Sequence, residues 1–415
     1  MTTDKKIISS SWPWALLVIP LVAVLAAVLL SPQSGPVAVA GAAPCDPGRA
    51  HDAGDFDRTI ESGGLTRDYI LHVPPSYTGD EAAPLVVLLH GLGDSAAGIA
   101  NYTELPSKAD EAGFILVMPQ ALSTDLLNIT HWNIVLFPSE VGEPDDLTFI
   151  ADMLNELESE LCIDADRIFA TGASNGAQMS SRLGCSLADR IAAIAPVAGV
   201  YFPPLSLDLP EPAGCPDMRS MPLLAFHGTS DTVIPFNGGQ AGAGDFSFIL
   251  RDIDDDIMPE WAAHNGCTSG PSTEQATENV QLVRYEGCNK DATLALYVID
   301  GGGHVWPGAE DSKGPDVADE ISANDLIWDF FLAHPMPAAQ PASTPTPSLT
   351  PTPSPTSTAT APQLTAEVLP AVLPAAGAAG AGDPGIAGWL VAALTGAGAV
   401  TLAGATWFAR RRLAS

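Results

Sequence analysis

A doubly wound α/β domain, with a mostly parallel sheet and helices on both faces, is predicted for residues 41–334 from three observations. Between about Cys45 and His334, short β-rich apolar runs alternate with runs of helical spacing. Several of those strand runs end directly in glycine-containing loops that carry Ser, Asp or His. The two ends of the chain, by contrast, have compositions that build no packed core. Residues 69–73 and 85–89 are strands separated by a Pro-Pro and Gly-Asp turn region, and 114–118 is a strand after a helix over 105–112. Residues 149–161 have helical spacing, with Pro144, Asp145 and Asp146 as the start signal. A strand over 167–171 leads to a helix over 177–183, strands come next at 191–197, 223–227 and 294–299, and a helix over 321–332 closes the domain. That makes about eight strands and buried runs, with no internal repeat.

The ends carry address signals. Residues 14–30 are uncharged and rich in Leu, Val and Ala, preceded by Lys5 and Lys6 and followed by Ala38-Val39-Ala40 as a cleavage site. Residues 1–40 are therefore read as a signal peptide or an uncleaved signal anchor, and either form exports the domain behind it. Residues 335–384 are rich in Pro, Thr, Ser and Ala, too poor in apolar surface to fold, and read as a disordered, polyproline-like stalk. Residues 385–415 supply an apolar span that ends in Arg410-Arg411-Arg412, a transmembrane helix with a cytoplasmic basic tail. With Leu373-Pro374-Ala375-Ala376-Gly377 upstream, this end resembles a sortase sorting signal in which alanine replaces the usual threonine at 376. The expectation is a cell-surface domain held by a membrane helix or by sortase linkage, working as a monomer.

Composition narrows the ligand. The net charge of -32 comes from 49 acidic against 17 basic residues, so cations are scarce rather than acids abundant. Nucleic-acid binding needs Lys and Arg to neutralise phosphates, and this surface is excluded from that class. Six cysteines suit an oxidising compartment. Fifteen connectivities are open; spacing favours Cys267 with Cys288 and Cys185 with Cys215, which leaves Cys45 with Cys162. No C-x-x-C pair points to zinc, and Pro44 before Cys45 makes a poor lipidation site. Sequons stand at Asn101 and Asn128.

Chemistry concentrates in Gly172-Ala173-Ser174-Asn175-Gly176, set between a strand and a helix. That context is a nucleophile elbow, whose small flanking residues allow a strained turn that lifts the serine hydroxyl clear of the sheet. A serine needs a histidine to take its proton and an acid to orient that histidine. His304 lies in Gly301-Gly302-Gly303-His304-Val305-Trp306-Pro307-Gly308 after a strand, and Asp231 in His227-Gly228-Thr229-Ser230-Asp231 after another. The order Ser174, Asp231, His304 is that of the α/β-hydrolases. Oxyanion donors are expected from the amide of Leu92, in His90-Gly91-Leu92-Gly93-Asp94, and from that of Asn175 at the start of the elbow helix.

Other polar residues have plainer readings. His90 and His227, each at a strand end before glycine, are structural histidines, with His90 kept as a candidate substrate contact. Trp132 and Trp306 stand in polar or glycine-rich loops, where each is a candidate to stack on a sugar or aryl group. Asp145 and Asp146 are helix N-caps. The run from Asp252 to Asp256 lacks the glycine and glutamate of a calcium loop and reads as a helix start before Pro259.

The segment from Ser62 to Pro75, Leu88-Leu89-His90-Gly91, the 171–176 elbow, Phe226-His227-Gly228-Thr229-Ser230-Asp231 and Gly302-Gly303-His304-Val305-Trp306-Pro307-Gly308 together resemble the secreted polyhydroxybutyrate depolymerase and feruloyl esterase family. The resemblance implies the α/β-hydrolase fold, extracellular cleavage of carboxylic esters through an acyl-serine, and Ser174, Asp231 and His304 as the triad. It implies no cofactor and no metal, and substrates that are feruloyl or acetyl esters of polysaccharides or bacterial polyesters. Cys267 and Cys288 also resemble a cysteine pair of that family. Relatives carry a glycine- and cysteine-rich loop after a Trp-Asn pair, where this chain continues His131-Trp132-Asn133 into Ile134-Val135-Leu136-Phe137-Pro138. Polyhydroxybutyrate is the alternative substrate; an inert binding scaffold and an acyltransferase are the rival classes of function.

Overall fold

The computed structural model describes residues 45, 49–123, 129–134, 144–202, 219–243, 246–309 and 320–337. Alternating charged and apolar residues lay down β1 (Gly54–Ser62), and Gly63 and Gly64, both at positive φ, turn the chain back into β2 (Leu65–Val73). β3 (Ala83–Leu89) is apolar and buried along its whole length, the composition of a central strand covered on both faces. Helix α1 (Ala96–Thr103) starts where Ser95 Oγ accepts from the Gly98 N–H, and stops at Glu104, whose φ of 54° breaks it from α2 (Leu105–Ala112). β4 (Ile115–Pro119) precedes α3 (Asp146–Glu160), which Asp145 caps by accepting from the Thr148 N–H. β5 (Ile163–Ala173), α4 (Asn175–Ser186), β6 (Ala193–Val197) and β7 (Leu223–Gly228) complete the centre.

Beyond β7 come a separate hairpin, β8 (Gly239–Ala243) with β9 (Phe246–Leu250), and a π-helical turn over Ile253–Ile257 capped by Asp252. α5 (Met258–His264) continues from that turn, followed by β10 (Ser269–Gln275), β11 (Val280–Glu286), β12 (Leu294–Ile299) and α6 (Ala323–Ala333), the last capped by Ser322. The main sheet has ten strands in the order β1-β2-β4-β3-β5-β6-β7-β12-β11-β10. From β4 to β12 every neighbour is parallel, and the strands outside that block are antiparallel. Val86 and Leu88 of β3 share a core with α1, α2 and α6, where Phe169 stacks on Phe331 and Phe114 on Trp328. α3 and α4 cover the other face.

Two disulfides staple the described domain, Cys45 to Cys162 and Cys267 to Cys288. Cys185 is also disulfide-bonded, and Cys215 lies outside the described residues. The chain enters the domain at Cys162, just before β5, and leaves it where the Met336 N–H donates to Asp166 O, also near the start of β5. The predicted signal segment at 1–40, the stalk and sorting-like motif from 338 to 384, the membrane helix at 385–415 and the Asn128 sequon all lie outside the described residues. Among the described residues no helix is long and apolar enough to cross a membrane.

Asp146 is not a cap. It is buried, its Oδ1 2.7 Å from Arg67 Nη2, while its Oδ2 accepts from the Asn133 N–H at 2.8 Å. Burial pushes its carboxyl up against the opposing pull of Arg67 and that amide. Arg67 also lies over the Phe149 ring at 4.0 Å. Arg67→Ala leaves a sealed, unpaired carboxylate and should lower the unfolding free energy by about 3–5 kcal/mol, read by urea denaturation. A midpoint within error of the parent protein would remove this pair from the list of stabilising contacts.

Candidate active site

Ser174 sits between β5 and α4 with φ 57° and ψ -121°, a conformation that side-chain-bearing residues rarely adopt. The turn holds because its neighbours leave room for it. A Cβ on Gly172 would lie 2.6 Å from Leu89 O, and one on Gly176 would collide with the carbonyls of Leu89 and His90. The elbow thus packs directly on the end of β3, and the Ser174 N–H is anchored to Val197 O of β6 at 3.0 Å.

Register brings the other two groups to the same edge. Ala173 pairs with Val197, Val197 with Phe226, and Gly228 with Ile299, so the loops after β5, β7 and β12 open side by side at the carboxyl ends of the strands. The acid and histidine loops are stitched together as well: Ser230 N–H donates to Gly302 O, and a Cβ on Gly228 would collide with Gly302. His304 Nδ1 lies 2.7 Å from Asp231 Oδ2. Asp231 has a fully buried side chain, whereas the His304 side chain is 21% exposed and can reach a bound molecule.

All of Asp231's acceptor capacity is used. Oδ1 accepts from the N–H groups of Val233 and Ile234, and Oδ2 from His304 and, at 3.3 Å, from His227 Nε2, which also donates to Ile234 O. Burial alone would raise this carboxyl; the hydrogen bonds from His227, His304 and the Ile234 amide outweigh it and hold the group below the usual carboxylate range. Asp231 is therefore ionised whenever His304 must be kept in orientation.

Leu92 and Asn175 flank the serine. Among the described residues neither main-chain N–H has a protein acceptor, the condition for receiving an oxyanion. Gly91 brings the first loop within van der Waals reach of Ser174, where an added Cβ would lie 3.5 Å from the serine Cβ. The Asn175 side chain pins the elbow from outside, its Oδ1 accepting from the Trp132 N–H at 2.7 Å.

Beside the elbow opens a shallow cleft. Gln178, one helical turn past Ser174, meets Tyr201, Phe202, Ile234, Ile253 and Ile257 there. The π-helical turn is what places Ile253 and Ile257 on the same wall. Arg251 also lines the cleft, but both its terminal nitrogens are taken by Glu260 at 2.7 and 2.6 Å. Burial pushes the Tyr201 phenol up to about 12, so it stays a neutral donor, bonded to Ile134 O. The cleft wall is thus apolar and aromatic.

A phospholipase/carboxylesterase family model matches residues 76–270. Feruloyl esterase B of Piromyces equi is 32% identical over 239 residues, 58% of this chain but only 42% of that protein's length. Feruloyl esterase D of Neurospora crassa is 27% identical over 287 residues, 66% of this chain and 84% of that protein. The chain is thus similar to feruloyl esterases, and its sheet order is that of an α/β-hydrolase. An acetyl xylan esterase from Aspergillus awamori is similar in structure, with a TM-score of 0.47 and 15% identity, covering 67% of this chain and all of that one.

Three residues of this chain do not stand where the sequence suggested. Trp132 is 1% exposed and donates its indole N–H to His90 O, so it is a core residue between the elbow and the Leu92 loop, with no face for a substrate. Trp306 is equally buried and donates to Asn324 Oδ1. His90 is fully buried: its Nε2 accepts from the Ala121 N–H at 3.0 Å, which puts the ring proton on Nδ1, toward Gly91 O. Burial pushes that imidazole below its ordinary value. All three shape the site from behind. Of the divergent loop after Asn133, Ile134 is described and the following residues 135–138 are not. The sequence gives His227 only a structural reading although it lies in the 226–231 motif, and it offers no motif at the cleft residues Tyr201 and Phe202.

Proposed function

We propose that this chain hydrolyses feruloyl esters, or other aryl-acyl esters of polysaccharides, through an acyl-serine. The carrying observation is the His304–Asp231 hydrogen bond at the sheet edge that also bears the strained Ser174. His304 Nε2 takes the Ser174 proton as Oγ bonds to the ester carbonyl carbon, and Asp231 stabilises the imidazolium. The carbonyl electrons move onto oxygen, which the Leu92 and Asn175 amides receive. As the tetrahedral species collapses, the C–O bond breaks and the proton passes to the leaving alcohol. Water then attacks the acyl-enzyme, its proton going to His304 and on to Ser174, which releases the acid.

The acyl group enters the cleft lined by Tyr201, Phe202 and Ile234. An aromatic and aliphatic wall, with Arg251 already neutralised, favours an uncharged aryl acyl group over acetate. The aliphatic half of the wall favours polyhydroxybutyrate as second reading. Disulfides suit an oxidising compartment, which supports an extracellular domain, tethered by the predicted C-terminal span.

The test compares methyl ferulate, acetylated xylan and polyhydroxybutyrate with Ser174→Ala as blank. Methyl ferulate should give the highest kcat/KM, and Phe202→Ala should raise its KM roughly tenfold with little effect on acetyl esters. Preference for acetylated xylan would refute the aryl assignment, and preference for the polyester would install the second reading. Transfer to an added alcohol in place of water would make the chain an acyltransferase.

A further inference from the structure

We propose that Tyr102 and Asn324 are positioning residues of the hydrolysis, clamping Trp306 so that the His304 imidazole keeps its heading toward Ser174; this rests on His304 being the base. The loop before His304 is Gly301-Gly302-Gly303, which contributes no side chain to hold it, and Gly301 stands at φ 72°. The bond to Asp231 fixes Nδ1, but a single hydrogen bond leaves the ring free to swing about its axis. Aiming Nε2 requires a second fixed point on the main chain.

Trp306 supplies that point two residues later. Its N–H donates to the Tyr102 hydroxyl at 2.8 Å, and its indole N–H to Asn324 Oδ1 at 3.0 Å. Asn324 closes the frame by donating from Nδ2 to Thr103 O at 2.7 Å. That carbonyl is available because α1 breaks at Glu104, which leaves the last helical carbonyls without helical partners. The Ala323 N–H donates to Pro307 O at 3.0 Å, so the start of α6 grips the same loop. Residues some 200 positions apart thus converge on one buried indole, 1% exposed. Neither Tyr102 nor Asn324 touches the serine or the cleft.

The experiment is pre-steady-state hydrolysis of p-nitrophenyl acetate by the full chain, with Tyr102→Phe, Asn324→Leu, Leu326→Ala, His304→Ala and Ser174→Ala. Burst amplitude counts competent sites; the rate constants of acylation and deacylation report how well His304 is aimed. Tyr102→Phe should keep the full amplitude and KM while both rate constants fall about tenfold, since misplacing a catalytic group by around 1 Å costs up to roughly 100-fold. Asn324→Leu should behave alike, and Tyr102→Phe carries the test should that variant fail to fold. Leu326→Ala, which loosens α6 on the same core, should lower Tm and leave the rate constants alone. Unchanged rate constants in Tyr102→Phe, or a reduced amplitude with unchanged rates, overturn the clamp while inactive Ser174→Ala and His304→Ala keep the esterase reading standing. Activity in Ser174→Ala would instead overturn that reading.

Discussion

Ser174→Ala should lower kcat on every ester by roughly a million-fold and leave thermal unfolding where it was. The size comes from the elbow, whose strained backbone presents the Ser174 hydroxyl at the sheet edge that carries His304 and Asp231. The small change in stability comes from the same geometry. Alanine meets the strain of φ 57° as serine does, the Ser174 N–H keeps its bond to Val197 O, and no side-chain bond is needed to cap α4. Residual hydrolysis of about a thousandfold over water would remain from the oxyanion donors. Measurement of kcat beside Tm separates this from misfolding; turnover within tenfold of the parent at equal Tm would move the nucleophile elsewhere.

Asp231→Asn should cost about ten-thousand-fold in kcat, with KM nearly unchanged. An amide turned with its nitrogen toward Nδ1 would oppose the tautomer that frees Nε2 to accept a proton, and a neutral side chain cannot stabilise the imidazolium. Stability should respond too. The folded pKa of Asp231 lies below its ordinary value of 3.8, so ionisation stabilises the fold above that value and the contribution is lost as pH falls through the folded pKa. The gap in unfolding free energy between parent and Asp231→Asn should therefore narrow as pH drops below about 4. Urea melts at pH 7 and pH 3 check the sign; a gap that widens on acidification contradicts the assignment of Asp231 as a buried anion.

The parallel centre was legible because burial on both faces writes itself as uninterrupted apolar runs: 294–299 is predicted and found with the same bounds, and 223–227 differs by one residue. Motif spacing likewise located the elbow and the two loops. What escaped has a common cause. β1 carries Asp55, Asp57 and Thr59 on its open face, and β10 is exposed along its whole length, so neither shows the apolar signal of a strand. α1 is hidden because Ala96-Ala97-Gly98 carries little helical patterning. Trp132 and Trp306 mislead because a polar or glycine-rich neighbourhood suggests an open loop, and nothing local reveals that His90 O and Asn324 wait as acceptors. Asp146 resembles a cap because its true partner, Arg67, is 79 residues away.

Cys162 and Asp166, where the folded body takes up its leading and trailing segments, lie near the opposite end of β5 from Ser174, about 26 Å along the strand from Asp166. The first and last described residues of the domain, Cys45 and those around Met336, are therefore fastened at the end of β5 away from Ser174. A load applied at Cys45 or Met336 would reach the sheet at the end of β5 remote from Ser174, leaving the loops after β5, β7 and β12 out of its path.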